Sequence, residues 1–372
     1  MMIAIATGSG LQEKIRNKIS GFKGHIQISN YDTNNSEGSI VPVDKNQNFY
    51  PTFFNIEGIK NVQVYATKIG LIRTKTDFEG IIFKGVSTDY DWTFFKEYLI
   101  KGQLPDFNKK RTRDVLLSKT IMNRLQLSLN DTINVTFFKS QVNKLPSNRK
   151  LIISGVYNTG FLEFDKNIMI GDLRQVQRLN KWNENQVGGF EIIIDNFDEL
   201  QKKTNEVYKE IDSTLNANSI LLNYPSIFEW IDLFDNNIWF IIIIMILVAG
   251  INMITALLVL ILERVPMVGI LKAIGCSNWS IRKIFLYNAT YLIFVGLFWG
   301  NLIGFTLLLL QYYGGFITLD PATYYVSKVP VSIDTVSLIL LNIGTLILCF
   351  LMLIIPSIII TKIEPSKSIR FA

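Results

Sequence analysis

The chain has 372 residues, of which 49% are hydrophobic and 18% charged, with a formal net charge of +6. Residues 237–372 hold eight basic and four acidic residues, so this apolar third carries +4 and the first 236 residues only +2. The positive excess flanks apolar runs and forms no phosphate-neutralising face, which argues against nucleic-acid binding.

Between Phe22 and Asn236 lies a polar block of roughly 210 residues, large enough for a core and more than one subdomain. Both cysteines, Cys276 and Cys349, fall outside it, so no disulfide holds it together. Ahead of it, Leu11, Ile15 and Ile19 recur every four residues among charged neighbours, which predicts an amphipathic helix closed by Gly21. HIQIS alternates as a strand. NIEGIKNVQVYATKIGLIRTK and FEGIIFKGVS are expected as strands separated by glycine turns. Helices are expected at 92–100 and 118–127, then the β-rich TINVTFF and KLIISGVYN around a polar loop near Pro146. A helix at 173–180, the strand GFEIIID, a helix over 197–215 and a last strand near 219–222 complete the block. The mixture is α+β.

Three runs follow without Asp, Glu, Lys or Arg: 236–262, 284–319 and 335–361. A spanning helix needs about 20 apolar residues, so each is long enough to cross a bilayer. Arg264, Lys272, Arg282 and Lys283 crowd the first connection, and Lys362, Lys367 and Arg370 follow the last run, whereas the other connection has only Lys328 against two acids. The positive-inside rule places 263–283 and the tail 362–372 in the cytoplasm, and the block 22–235 and the loop 314–334 outside. The spans are then 236–262, 284–313 and 335–361. An outside block needs a membrane segment or signal ahead of it, and MMIAIATGSG has no basic flank and is too short for either. Residues 1–21 are therefore read as the outer end of a further membrane helix and its extension, with an ordinary domain start as the alternative.

The segment ERVPMVGILKAIG, Glu263 to Gly275, sits between two spans. Pro266 suits a first helical turn. Met267, Ile270, Leu271 and Ile274 share one apolar face, and Gly275 is placed to end the helix in a left-handed conformation. Ser277 can cap the next helix, which runs through Trp279 and Ile281. Such a short helix either rests its apolar face in headgroups or offers it to a cytoplasmic partner. In the following span Gly296, Gly300 and Gly304 repeat every four residues, a spacing that lets another helix approach closely. Asn252, Asn288, Asn301 and Asn342 lie at membrane depth and are expected to face protein. Pro356 is expected to kink the last span.

The common catalytic signatures are missing. There is no GxxxxGK[ST] loop, His25 is the only histidine, no Cys/His cluster suits a zinc ion, and no serine sits in GxSxG. Asp89, Asp91 and Glu97 near Trp92 read as solvated acids and His25 as structural. No catalytic residue, metal or cofactor is expected in this chain.

The pattern ERxxxxGILKAIG, followed by a serine and a helix entering the membrane, resembles the FtsX-like permeases of MacB-type ABC transporters. GFKGHIQI, KGQLP…DVLLSKTIMNRLQLSLNDTINV…ISGVYNTGFLEFD, LDPATYYVSKVPV and the terminal IEPSKSIRF resemble, within that group, the lipoprotein-releasing permeases of the LolC/LolE type. The resemblance covers essentially the whole chain. It implies an α-helical membrane protein plus an α+β periplasmic domain with a porter-like and a more β-rich part, in a four-helix MacB/FtsX-like architecture whose first helix is largely missing here. It also implies an inner-membrane location, a second permease subunit (the same or a paralogue) and a separate cytoplasmic ABC ATPase dimer that binds ATP-Mg. The lipoprotein cargo would pass to a periplasmic carrier. By this likeness Glu263, Arg264, Met267, Val268, Gly269, Ile270, Leu271, Lys272, Ala273, Ile274 and Gly275 form the ATPase-coupling segment of a non-catalytic subunit that transmits motion to the outer domain. A MacB-like exporter of peptide, toxin or drug, an FtsX-like regulator of cell-wall hydrolases and an ATPase-free sensor are the competing functions.

Overall fold

The computed structural model describes residues 1–31, 38–108, 111–138 and 145–362. The terminal IEPSKSIRF stretch, most of the predicted tail and part of the polar loop near Pro146 therefore lie outside the described residues. Two compact units divide the chain: Lys14–Phe228 with Leu319–Ser327, and Met1–Glu13 with Glu229–Thr318 and Lys328–Ala372.

The first unit is α+β. Helix α1 (Met2–Lys23) leads into β1 (Ile26–Asn30), β2 (Val43–Asp44), β3 (Ile59–Arg73) and β4 (Phe78–Val86). There follow α2 (Thr93–Tyr98), β5 (Leu99–Gly102), β6 (Asp114–Ser118), α3 (Lys119–Leu125), β7 (Thr132–Phe137), β8 (Ser147–Tyr157) and α4 (Leu162–Asp165). The unit continues through β9 (Ile168–Asp172), α5 (Leu173–Asn180), β10 (Gln186–Val187), β11 (Gly189–Ile194), α6 (Leu200–Glu210), β12 (Leu215–Ser219) and α7 (Ile220–Asn223).

Strand β3 is the hinge of this topology. Residues 59–65 pair antiparallel with β11, extending the open sheet β12-β1-β11-β3. Residues 65–73 pair with β4, and 70–73 also with β7. Since β7 pairs β8, β8 pairs β6, β6 pairs β9 and β9 pairs β4, six strands close into a barrel. Closure removes the exposed edges that an open sheet must otherwise protect. The barrel interior is apolar: Ile72, Phe83, Leu117, Val135, Ile153 and Met169 are all fully buried.

Several expectations are corrected. Helix α1 runs past Gly21 and stops at Gly24, which holds the left-handed φ of +70°. Gly70 does not break β3; it runs beneath the Phe137 ring, where a Cβ would lie 2.9 Å from a ring carbon. The helix expected over 92–100 gives way to strand at Leu99. The helix expected to reach 215 ends at Glu210, and the last strand is LNANS, followed by a helical turn where 219–222 was expected extended. LNANS pairs along β1 with an alternating burial pattern, a role its polar composition hides. Strands β6 and β9 had no periodic signal, because short strands buried on both faces show none.

The second unit is helical. It comprises most of α8 (Pro225–Glu263), then α9 (Val265–Ala273), α10 (Asn278–Gly314), α12 (Thr335–Ser357) and α13 (Ile359–Lys362); the short α11 (Pro321–Tyr324) belongs to the first unit. Among the described residues three helices, α8, α10 and α12, are long and apolar enough to cross a membrane. Thr255, Thr290, Thr306 and Thr345 each donate to the carbonyl four residues back, which keeps these four hydroxyls paired within their own helices. Asn301 Nδ2 donates to Asn342 Oδ1 at 2.6 Å between α10 and α12, whereas Asn252 and Asn288 are exposed. Helix α12 ends one residue past Pro356, so the proline stops the regular helix there.

Candidate functional site

The connection between α8 and α10 is built as a tight corner. Helix α9 starts after Arg264 with Pro266 in its first turn, where the missing N–H costs no hydrogen bond. It ends in a Schellman motif: Gly275 N–H donates to the Lys272 carbonyl at 3.1 Å and Cys276 N–H to the Leu271 carbonyl at 3.0 Å, with Gly275 at φ +91°. Ser277 Oγ then accepts from Ser280 N–H and starts α10.

One side of α9 is fixed. Val268 is fully buried in a cluster with Leu257, Ile261, Ile281, Phe285 and Leu353, and Leu271 packs partly against it. Gly269 is also buried. The opposite side is open: Met267, Ile270 and Ile274 are 36%, 55% and 72% exposed. The predicted apolar face is therefore narrower than its spacing suggested, because Leu271 turns toward the cluster. Glu263, Arg264, Ala273 and Gly275 are exposed, and Lys272 is half-buried.

Cations tie this corner to the end of the last span. Arg282 donates to Ser357 Oγ from Nη2 at 3.0 Å and from Nε at 3.2 Å, and the hydroxyl of the fully buried Ser357 donates in turn to the Ile354 carbonyl. Lys272 Nζ donates to the Thr361 carbonyl at 3.2 Å. The exposed Trp279 ring lies 5.5 Å from the Arg282 guanidinium and 5.6 Å from Lys283 Nζ. The result is a small apolar surface of Met267, Ile270, Ile274 and Trp279 beside positive charge. Residue spacing gave no sign of the Arg282–Ser357 link, which depends on where α12 passes.

The helix-packing glycines separate. A Cβ at Gly304 would lie 2.6 Å from the Met2 methyl, so α1 packs there, with Met2, Ala6 and Leu308 buried together. A Cβ at Gly296 or Gly300 would meet nothing within 4 Å.

The α+β unit holds charge in unusual places. Lys84 and Glu191, 2% and 0% exposed, lie 2.7 Å apart. Lys84 also donates to the Phe22 carbonyl at the end of α1, and Glu191 accepts from Gln63 Nε2 at 2.9 Å. Burial lowers the Lys84 pKa despite Glu191. Buried Asp165 accepts from Thr159 Oγ1 and from the Thr159 and Gly160 N–H groups, yet burial pushes its pKa up to about 6. Burial, with Lys60 nearby, lowers His25 to about 4, and its Nδ1 accepts from Ile194 N–H at 3.2 Å. His25 is thus structural, as expected, while Asp89 accepts from Val64 N–H at 2.7 Å and is not a solvated acid.

Residues 239–365, which include the α9 corner, match the FtsX-like permease C-terminal family. Along its whole length the chain is similar to transmembrane proteins of a lipoprotein-releasing system. It is 21% identical over 380 residues to LolC of Buchnera aphidicola, covering 98% of this chain and 88% of that protein. It is 19% identical over 388 residues to LolC of Neisseria meningitidis serogroup B, covering 100% and 90%. Among solved structures it is similar to the periplasmic region of MacB from Actinobacillus actinomycetemcomitans, at 15% identity and a TM-score of 0.37 over 56% of this chain and 95% of that one. The extracellular domain of the ABC-type transporter YknZ from Gram-positive bacteria gives 14% identity and a TM-score of 0.34 over 52% and 99%.

Proposed function

We propose that this chain is the non-catalytic permease subunit of an ABC-type lipoprotein-releasing complex in a bacterial inner membrane, with its α+β unit in the periplasm. The observation that carries the reading is the α9 corner: a two-turn helix anchored by Val268 on one side and presenting Met267, Ile270 and Ile274 on the other, flanked by cations. Exposed apolar groups bordered by charge suit a groove on another protein. A cytoplasmic ATPase dimer is that partner, and ATP-Mg binds there and not in this chain. Two permease subunits, identical or paralogous, would sit on it. Closure of the ATPase moves α9, and α8 and α10 carry the displacement outward, so that a lipoprotein is drawn from the membrane and passed to a periplasmic carrier.

Full-length similarity to LolC proteins favours lipoprotein cargo over a MacB-like exporter, which would use the same corner on a different substrate. Depleting the protein and following outer-membrane lipoproteins tests the cargo; an unchanged distribution sinks it. Ile270→Asp tests the corner, since an exposed side chain can be charged without disturbing the bundle. At least a ~tenfold loss of cargo release per ATP hydrolysed is expected, with insertion intact. Normal release would remove the coupling role. Gly269→Asp should also uncouple, but this glycine is buried, so the substitution perturbs packing as well.

A further inference from the structure

The loop between α10 and α12 has an unusual centre. Asp320 caps α11 by accepting from Ala322 N–H at 3.0 Å, and the turn ends at Tyr325, a non-glycine residue held at φ +58°. A bulky side chain there is costly unless its surroundings compel it. Two groups of the α+β unit do so. Lys18, on α1 and only 3% exposed, donates from Nζ to the Tyr325 carbonyl at 2.9 Å. The Phe161 ring stacks on the Tyr325 ring with centroids 5.0 Å apart and planes 26° from parallel.

Both grips rest on one buried carboxylate. Asp165 fixes the Thr159–Gly160 turn that precedes Phe161 through three hydrogen bonds, and its charge favours the ammonium of Lys18. Burial brings Lys18 down to about 8, which still leaves it mainly protonated at neutral pH. A buried lysine spent on a backbone carbonyl gains nothing for a solvated surface, and a left-handed tyrosine gains nothing for a free loop.

We propose that Lys18 and Tyr325 are positioning residues that latch the α10–α12 connection onto the α+β unit, so that movement of the permease helices reaches that unit through this loop as well as through α1 and α8. The latch extends the proposed permease function and rests on it for its readout in cargo release. Its geometry has a separate readout. Hydrogen exchange on the detergent-purified full chain follows the Leu319, Tyr324 and Tyr325 amides, which donate to the Ser327, Asp320 and Pro321 carbonyls.

Lys18→Met is expected to speed exchange of these three amides about tenfold or more, because a charge-assisted bond is lost. Lys18→Arg, which keeps a donor, should restore most of the protection. Tyr325→Gly keeps the carbonyl and accepts the left-handed φ at no cost while deleting the ring; it gives a folded test if Lys18→Met does not fold, and should also speed exchange. In the complex, each variant that frees the loop is expected to lower cargo release per ATP at least threefold, with Lys18→Arg near wild type. Unchanged exchange in both Lys18→Met and Tyr325→Gly overturns the latch. Faster exchange with unaltered release overturns the positioning role while leaving the permease reading intact. If the wild-type complex releases no lipoprotein, the permease reading fails first, and the exchange result still decides the latch.

Discussion

Replacing Lys84 with Met strikes the most heavily committed charge in the α+β unit. Lys84 and Glu191 are almost fully buried, so the substitution leaves a carboxylate in the core with only the Gln63 amide beside it, 2.9 Å away. Removing one partner of a buried pair costs about 3–5 kcal/mol. The Phe22 carbonyl loses its donor at the same time, which adds about 1–3 kcal/mol if no other donor replaces it. A loss of at least ~4 kcal/mol is a large share of the 5–15 kcal/mol that typically holds a domain folded. Lys84→Met combined with Glu191→Gln removes both charges and leaves an amide at 191 able to accept from Gln63. Its remaining loss is the orphaned carbonyl, so the double variant should be about 2 kcal/mol or more steadier than the single one. Hydrogen exchange of β4 and β11 amides in the detergent-purified chain reads both quantities. Protection should fall by ~100-fold or more in the single variant and recover at least ~tenfold in the double. A double variant no better than Lys84→Met, or a single variant within ~1 kcal/mol of wild type, would refute the reasoning.

Two further outcomes concern pH. His25 has a folded pKa of about 4 against 6.5 unfolded, so its contribution is present above pH 6.5 and is lost as pH falls toward 4; about 2 kcal/mol should be gone by pH 5. Selective labelling of this one histidine should show its ring still neutral at pH 5.5, and a midpoint near 6.5 would contradict the burial argument. Asp165 runs the other way: its pKa is raised to about 6 from 3.8, so it favours the folded state at low pH and that advantage is lost as pH rises through 6. Acidification from pH 7 to 5 should return about 1 kcal/mol in wild type that Asp165→Asn lacks, measured as the difference between their stability–pH curves. Parallel curves would rule this out.

Much of the α9 corner could be read from the chain itself. Pro266, the spacing of Met267, Ile270 and Ile274, Gly275 and Ser277 specify a short capped helix through local rules, and the structure follows them. Val268 was not distinguished from its neighbours, because its burial depends on Ile281 and Phe285 packing against it from α10. The buried charges left a trace that went unused: Lys84 sits inside IIFKGV and Glu191 inside GFEIII, each a lone charge in an apolar strand. A charge at such a position needs a partner, but their separation of 107 residues hides which one.

The sequence by itself determined the three apolar helices, the capped corner between the first two and the α+β character of the polar block. Each follows from hydropathy length, periodicity or capping, which act over a few turns of chain. Only the tertiary structure decided that β3 serves both an open sheet and a closed barrel, that Arg282 reaches Ser357, and that Lys18 and Phe161 together hold Tyr325. These depend on which strand closes the ring and which distant backbone meets a side chain, and composition and local spacing carry no information about either.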